Sequence, residues 1–263
     1  MLNNYEKQML EILKRGRDYG IVSVKAEFEA EGTRVDELLR LLEIARKADL
    51  RVAIKIGGCE AIRDLIECRL YGVDYVIAPM VETPYALSKY IAAKDKFFSA
   101  EEQNDIGFLF NVETRTTYDS LDELGVLANK GRTGFVFGRV DFAGSMGRKR
   151  DFVNSDEMMD YVCGVAEVAR KHDLNLVVGG GVSPDSIEAL RRVRKIRLDR
   201  FETRKVVFDA SILDGHEAQM GMELAIEFEL LWLKNKRSYY STLGSEDAER
   251  IRMMEERQLA RVA

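Results

Sequence analysis

Short apolar runs rich in Val, Ile and Phe recur along this chain, and the intervals between them carry apolar residues at helical spacing. The strand-like runs lie near 21–27, 51–56, 74–78, 106–112, 134–140, 174–179 and 201–208. Apolarity on both faces of a short run is the mark of a buried parallel strand. Between them, "VDELLRLLEIARKA", "CEAIRDLIECRLYG", "SDEMMDYVCGVAEVARKH" and "SPDSIEALRRVRK" each present one apolar helical face, and Gly72, Gly125 and Gly134 punctuate helix ends or strand starts. A βα repeat this regular, in 263 residues of which 46% are hydrophobic, predicts an α/β fold of the (β/α)8 TIM-barrel type. Seven strands are clear. The eighth is expected from a split of 196–209 or from a segment near the start, and an open doubly wound sheet is the alternative architecture.

The barrel domain is read as residues 1–215 and a C-terminal helical extension as 216–263. "EAQMGMELAIEFELLWLKNKRSYY" predicts a long helix with a broad apolar face, and "SEDAERIRMMEERQLARV" a second, highly charged one. Such a face needs cover, either on its own barrel or on a neighbouring subunit, and a homo-oligomer is expected. Charged residues make up 32% of the chain and alternate in sign, with a formal net charge of −5, so no nucleic-acid or anionic-membrane partner is indicated. Cys59, Cys68 and Cys163 lack the spacing of a metal finger or a disulfide scaffold. No apolar run approaches a membrane span and the N-terminus reads as a charged amphipathic helix, which makes the cytoplasm the expected compartment.

Two strand ends deliver acids: Glu113 closes "GFLFNVET" and Asp141 follows the strand in "GFVFGRVDFAGSMG". One strand, one crossover helix and the next strand separate them, so both should emerge on the same edge of a parallel sheet. Adjacent carboxylates repel, and a hard divalent cation such as Mg²⁺ or Mn²⁺ is one remedy, since Mg²⁺ takes one or two protein carboxylates and further oxygens from water and substrate. The structural alternative makes Glu113 a cap for the helix at "TTYDSLDEL" and Asp141 the start of a turn.

The succession "GVDYVIAPMVET", "FNVETRTTYDSLDEL" and "GFVFGRVDFAGSMG" resembles the HpcH/HpaI aldolase and citrate-lyase β-subunit family of the pyruvate and phosphoenolpyruvate barrel superfamily, over about residues 20–180. The resemblance implies that Glu113 and Asp141 bind the divalent metal and that backbone N–H groups at Val140 and Asp141 receive the carboxylate of a pyruvate-like substrate. It implies reversible aldol or Claisen-type carbon–carbon cleavage through a metal-stabilised enolate. Two positions depart from the family pattern. Lys55, in "RVAIKIGG", stands where an Arg is usual and lacks its two-pronged geometry; it is read as an electrostatic helper, a Schiff-base lysine or a structural ion pair. Phe28 stands where a proton-moving His is usual, which leaves Glu27, Glu29, Lys25 or metal-bound water for that task.

Alternation puts Lys25, Glu27 and Glu29 on one face of the first strand, so mutual neutralisation is the competing explanation for them. Glu82 and Arg115 are further polar groups expected near the mouth, and Arg139 either brings positive charge there or ties down a loop. The glycines of "VVGGGVSPDS" form at most a weak phosphate cradle, and Glu202, Arg204 and Asp209 surround another strand end without an assigned role. Three functions follow as expectations: a metal-dependent lyase acting on a 2-oxo acid or related carboxylate, a citrate-lyase-like CoA-ester lyase or thioesterase, and a barrel that binds a pyruvate-like metabolite without turnover.

Overall fold

A computed structural model describes residues 1–260 of the chain as a closed eight-stranded barrel. The strands are β1 (Ile21–Glu27), β2 (Arg51–Lys55), β3 (Tyr75–Ala78), β4 (Gly107–Val112), β5 (Thr133–Gly138), β6 (Leu176–Gly179), β7 (Arg200–Glu202) and β8 (Val206–Asp209), hydrogen-bonded in that order. Around them run α1 (Asn4–Gly16), α2 (Val35–Lys47), α3 (Ile62–Tyr71), α4 (Pro84–Phe97), α5 (Glu102–Asp105), α6 (Arg115–Asp119), α7 (Leu121–Gly131), α8 (Arg139–Ser145), α9 (Asp156–Lys171), α10 (Ile187–Arg194) and α11 (Ala218–Leu259).

The expected strand at 201–208 divides in two, and this supplies the eighth strand. β1 to β7 are parallel, but β8 pairs antiparallel with both β7 and β1, so the barrel is not wholly parallel. The turn between β7 and β8 contains no Gly, Pro, Asn or Asp, the residues that advertise a hairpin. It is held from outside instead: Glu229 of α11 accepts from the Thr203 hydroxyl at 2.6 Å and from the Lys205 backbone N–H at 2.9 Å.

Inside the barrel, Ala53, Ile77, Leu109, Val136 and Val177 form an apolar layer. Outward-facing residues such as Val24, Ile54, Val76, Phe110, Phe135 and Phe208 pack against the helices in the larger core. Each parallel strand thus buries both faces, the physical reason for its unbroken apolarity. Gly72 caps α3 with φ near +62°, as the sequence implied, and Gly134 lies at the start of β5. Gly125 differs: it sits within α7, where a Cβ would come within 2.6 Å of Val168, so it serves packing with α9 rather than a helix end.

The C-terminal part also departs from expectation, forming one uninterrupted helix of 42 residues. Positions 261–263, which the C-terminal helical reading includes, lie outside the described residues. Gly221, Leu224, Ala225, Phe228 and Trp232 are buried on the first half of α11, which packs against α1, whereas residues 241–260 are exposed. No described helix is long and apolar enough to cross a membrane.

The docking of α11 depends on Gly221, because a Cβ there would stand 2.5 Å from the Tyr19 carbonyl oxygen. Helix propensity favours Ala over Gly by about 1 kcal/mol, but overpacking against backbone costs roughly 1–3 kcal/mol. Gly221→Ala should therefore lower the urea midpoint, while Gly244→Ala, with nothing near its added methyl, should leave it unchanged or raise it. Equal effects from the two would show that α11 does not dock on Tyr19.

Candidate active site

The strands end in a charged mouth above the apolar layer. Alternation on β1 turns Lys25 and Glu27 inward, and Lys25 Nζ lies 2.5 Å from Glu202 Oε1 and 3.4 Å from Glu27 Oε1. On β2, Lys55 Nζ is 2.9 Å from Glu29 Oε2 and 3.7 Å from Glu113 Oε2. Lys25, Glu27, Lys55, Glu113 and Glu202 are all less than a tenth exposed, so none of their charges is tolerable without a partner. Burial works against both ammonium groups, but the facing carboxylates outweigh it: Glu202 and Glu27 hold the Lys25 pKa well above its usual value, and Glu113, Glu29 and Glu27 raise that of Lys55.

Glu113 is the most tightly held carboxylate. Its Oε1 accepts from the Met80 backbone N–H at 2.8 Å and its Oε2 from Asn111 Nδ2 at 2.6 Å. Met80 adopts a left-handed conformation with φ near +50°, uncommon for a residue other than glycine, and thereby offers its N–H to Glu113. Burial pushes the Glu113 pKa up despite Lys55, Met80 and Asn111, and the neighbouring Asp141 adds to that rise. The capping alternative for Glu113 does not occur, because Thr114 caps α6 by accepting from the Thr117 N–H.

Asp141, exposed in the first turn of α8, meets Glu113 across Gly138. A Cβ on Gly138 would lie 3.1 Å from Glu113 Oε2 and 3.9 Å from Asp141 Oδ2. The glycine keeps the space between the two carboxylates open. Asn111, whose Nδ2 donates to Glu113, has its Oδ1 buried and without a hydrogen-bond partner among the described residues. Among the described residues no group of three or more His, Cys, Asp or Glu side chains is arranged to hold a metal ion. Two carboxylates, an open space and an unused amide oxygen nevertheless suit a hard cation that draws its other ligands from water and substrate.

The remaining sequence candidates are distributed differently. Val140 is half-buried, and Gly180, with φ near +80°, packs so closely that a Cβ would come within 2.6 Å of the Val140 nitrogen and 2.7 Å of the Arg139 nitrogen. Arg139 is fully buried and gives its donors to the Gly179 carbonyl (3.1 Å), Asn154 Oδ1 (2.9 Å) and Ser186 Oγ (3.4 Å). Those contacts tie three loops together, and burial without a facing carboxylate pushes its pKa down to about 10. Arg115 extends along the surface to Asp119 and Tyr161, both at 2.8 Å. Glu82 is half-buried, with no hydrogen bond or ion pair among the described residues.

Asn111 and the Met80 amide escaped the sequence reading. Asn111 had a signal, a lone polar residue inside an apolar strand two positions before Glu113 and hence on the same face. The Met80 contribution had none, because it depends on backbone conformation.

No protein-family model matches the chain. No curated protein matches it either. Solved structures do. An HpcH/HpaI aldolase from Desulfitobacterium hafniense DCB-2 aligns with a TM-score of 0.59 at 12% identity, over 74% of this chain and 82% of that one. An HpcH/HpaI aldolase/citrate lyase family protein from Burkholderia cenocepacia J2315 gives 0.61 at 12% identity, over 75% and 83%. Citrate synthase SbnG gives 0.57 at 15% identity, over 87% and 90%. The barrel of this chain is therefore the fold of those proteins.

Replacing Lys25 by Met strands Glu27 and Glu202, and loss of one partner from a buried pair costs roughly 3–5 kcal/mol. Because the folded pKa of Lys25 is raised, its stabilising contribution is complete below its ordinary value of 10.5 and fades as pH rises past that value. Urea unfolding of wild type and Lys25→Met should differ most near pH 8, the gap narrowing above pH 10.5 by up to about 1.4 kcal/mol per pH unit. A gap independent of pH would mean that Lys25 is not held charged by its neighbours.

Proposed function

We propose that this chain is a divalent-metal-dependent carbon–carbon lyase of the aldolase type, acting on a 2-oxo acid or a related carboxylic substrate. The observation that carries the reading is the meeting of Glu113 and Asp141 over Gly138, with the Lys55 ammonium 3.7 Å from Glu113. The likeness to aldolase and citrate-lyase folds supports it.

Glu113 and Asp141 would hold Mg²⁺ or Mn²⁺. When bound, such an ion polarises the carbonyl of a 2-oxo acid and offsets the negative charge that grows on its oxygen. Lys55, held by Glu29 at 2.9 Å, serves as a fixed positive charge and hydrogen-bond donor rather than a Schiff-base nucleophile. The N–H groups of Val140 and Asp141 receive the substrate carboxylate, and Arg139 positions that turn by fixing the loops behind it. Glu27, facing into the barrel beside Lys25, takes or returns the proton at the substrate carbon through its carboxylate oxygen.

The CoA-ester reading needs basic groups free to meet phosphates, and those in the β7–β8 turn and on the adjoining part of α11 are engaged. Arg204 and Lys205 both pair with Glu31, and Lys236 pairs with Glu37. The reading without turnover predicts ligand binding but no activated carbon acid.

Proton–deuterium exchange at the pyruvate methyl group, followed by NMR with Mg²⁺ or Mn²⁺ and again with chelator, separates these cases. Metal-dependent exchange is expected, lost in Glu113→Gln and in Asp141→Asn with circular dichroism unchanged. Exchange that persists in either variant would sink the metal site. Lys55→Ala should slow exchange by roughly 10- to 100-fold while changing metal affinity less. An unchanged rate would make Lys55 structural.

A further inference from the structure

The end of the barrel opposite the mouth, where the strands begin, contains a cavity of about 800 Å³, within the range of metabolite sites. The apolar layer of Ala53, Ile77, Leu109, Val136 and Val177 separates it from the charged mouth. Tyr75, the first residue of β3, forms its centre. The Cδ1–Cε1 edge of the Tyr75 ring abuts Gly107, where a Cβ would come within 2.4 Å of it, so only a glycine there leaves room for the ring. The Arg200 guanidinium stacks over that ring at 4.1 Å from its centroid, and Arg51 Nη1 donates to the Tyr75 hydroxyl at 2.7 Å. Stacking occupies the face of the Arg200 guanidinium and leaves the donors at its edge available.

A third guanidinium comes from Arg132, which donates to Asn104 Oδ1 at 2.8 Å. Arg132 ends α7 in the left-handed region with φ near +54°, the position where glycine is the unstrained choice. Among the described residues, none of Arg51, Arg132 and Arg200 has a carboxylate oxygen within 4.0 Å. Of the nearby acids, Asp173 and Asp199 pair with Arg197 at 2.9 and 3.0 Å, while Asp209, opposite Arg200 in the β7–β8 register, accepts from the Ser211 N–H at 2.8 Å and Asp74 lies near Arg51 without pairing with it. Three guanidiniums without a direct ion pair therefore line one cavity, with Asp173, Asp199 and Asp209 also in its wall. The forked donors of the guanidiniums match phosphate and carboxylate oxygens.

We propose that this floor cavity binds a small, multiply charged oxyanion, a phosphate ester or a polycarboxylate, at a site distinct from the barrel mouth. The site does not depend on the lyase reading. Calorimetric titration of the full chain, stripped of metal on a chelating resin and kept at about 0.15 M ionic strength, with pyrophosphate and separately with tricarballylate, tests it. One-to-one binding of at least one probe is expected, with Kd below about 1 mM. Arg132→Gln and Arg200→Gln should each weaken it at least tenfold, and Glu113→Gln should leave it unchanged. The probe that binds more tightly names the ligand class. No binding of either probe would overturn the proposal, as would binding that survives Arg132→Gln or is lost in Glu113→Gln. Arg132 is exposed and outside the Tyr75 stack, so its variant decides the matter even if Arg200→Gln perturbs the barrel floor.

Discussion

Two buried lysines organise the upper half of this barrel. Each ammonium has left water at a cost of several kcal/mol, which only close carboxylates can offset. Lys25 therefore fixes Glu27 and Glu202, and Lys55 fixes Glu29 and Glu113. Because the lysines stand on adjacent parallel strands, the two clusters are held side by side. The carboxylate most important to the site, Glu113, is thus placed by interactions that also hold the fold together. Asn111 and the strained Met80 amide leave it little freedom to turn. A mouth ordered before any ligand arrives loses less on binding than one that must first assemble.

The same charges explain why the apolar layer beneath them matters. Ala53, Ile77, Leu109, Val136 and Val177 keep water and the arginines of the floor away from the ion pairs of the mouth. Low polarizability there strengthens each pair above it. The barrel is in effect two polar chambers divided by an apolar diaphragm.

Much of this was legible from residue patterns. The strand runs and helical faces marked the barrel because a parallel strand buries both sides, and the inward charges of β1 followed from alternation alone. Glu113 and Asp141 could be paired because their strands are neighbours. What the pattern hid was set by tertiary contact. The hairpin at 203–205 lacks turn residues, being clamped by Glu229 from a helix far along the chain. Arg139 could be read two ways until its buried contacts with Gly179, Asn154 and Ser186 were visible. The C-terminal segment reads as two helices because its apolar face gives way to charge, yet backbone hydrogen bonding continues through Gly244 regardless of which side chains face water.

The antiparallel closure has a consequence for how the molecule is made. β1 pairs with β2 on one edge and with β8 on the other, and β8 is the last of the described strands. During synthesis the second edge of β1 emerges before β8 does and stays without its partner until Val206–Asp209 has been released. Glu229, which clamps the hairpin, follows later still. Between the release of β1 and that of β8 the nascent chain carries an open strand edge, a template for pairing with other chains. On that edge Ser23 and Lys25 place polar and charged side chains, and a charged side chain hinders intermolecular pairing. Lys25 thus guards the open sheet before Glu202 exists to neutralise it.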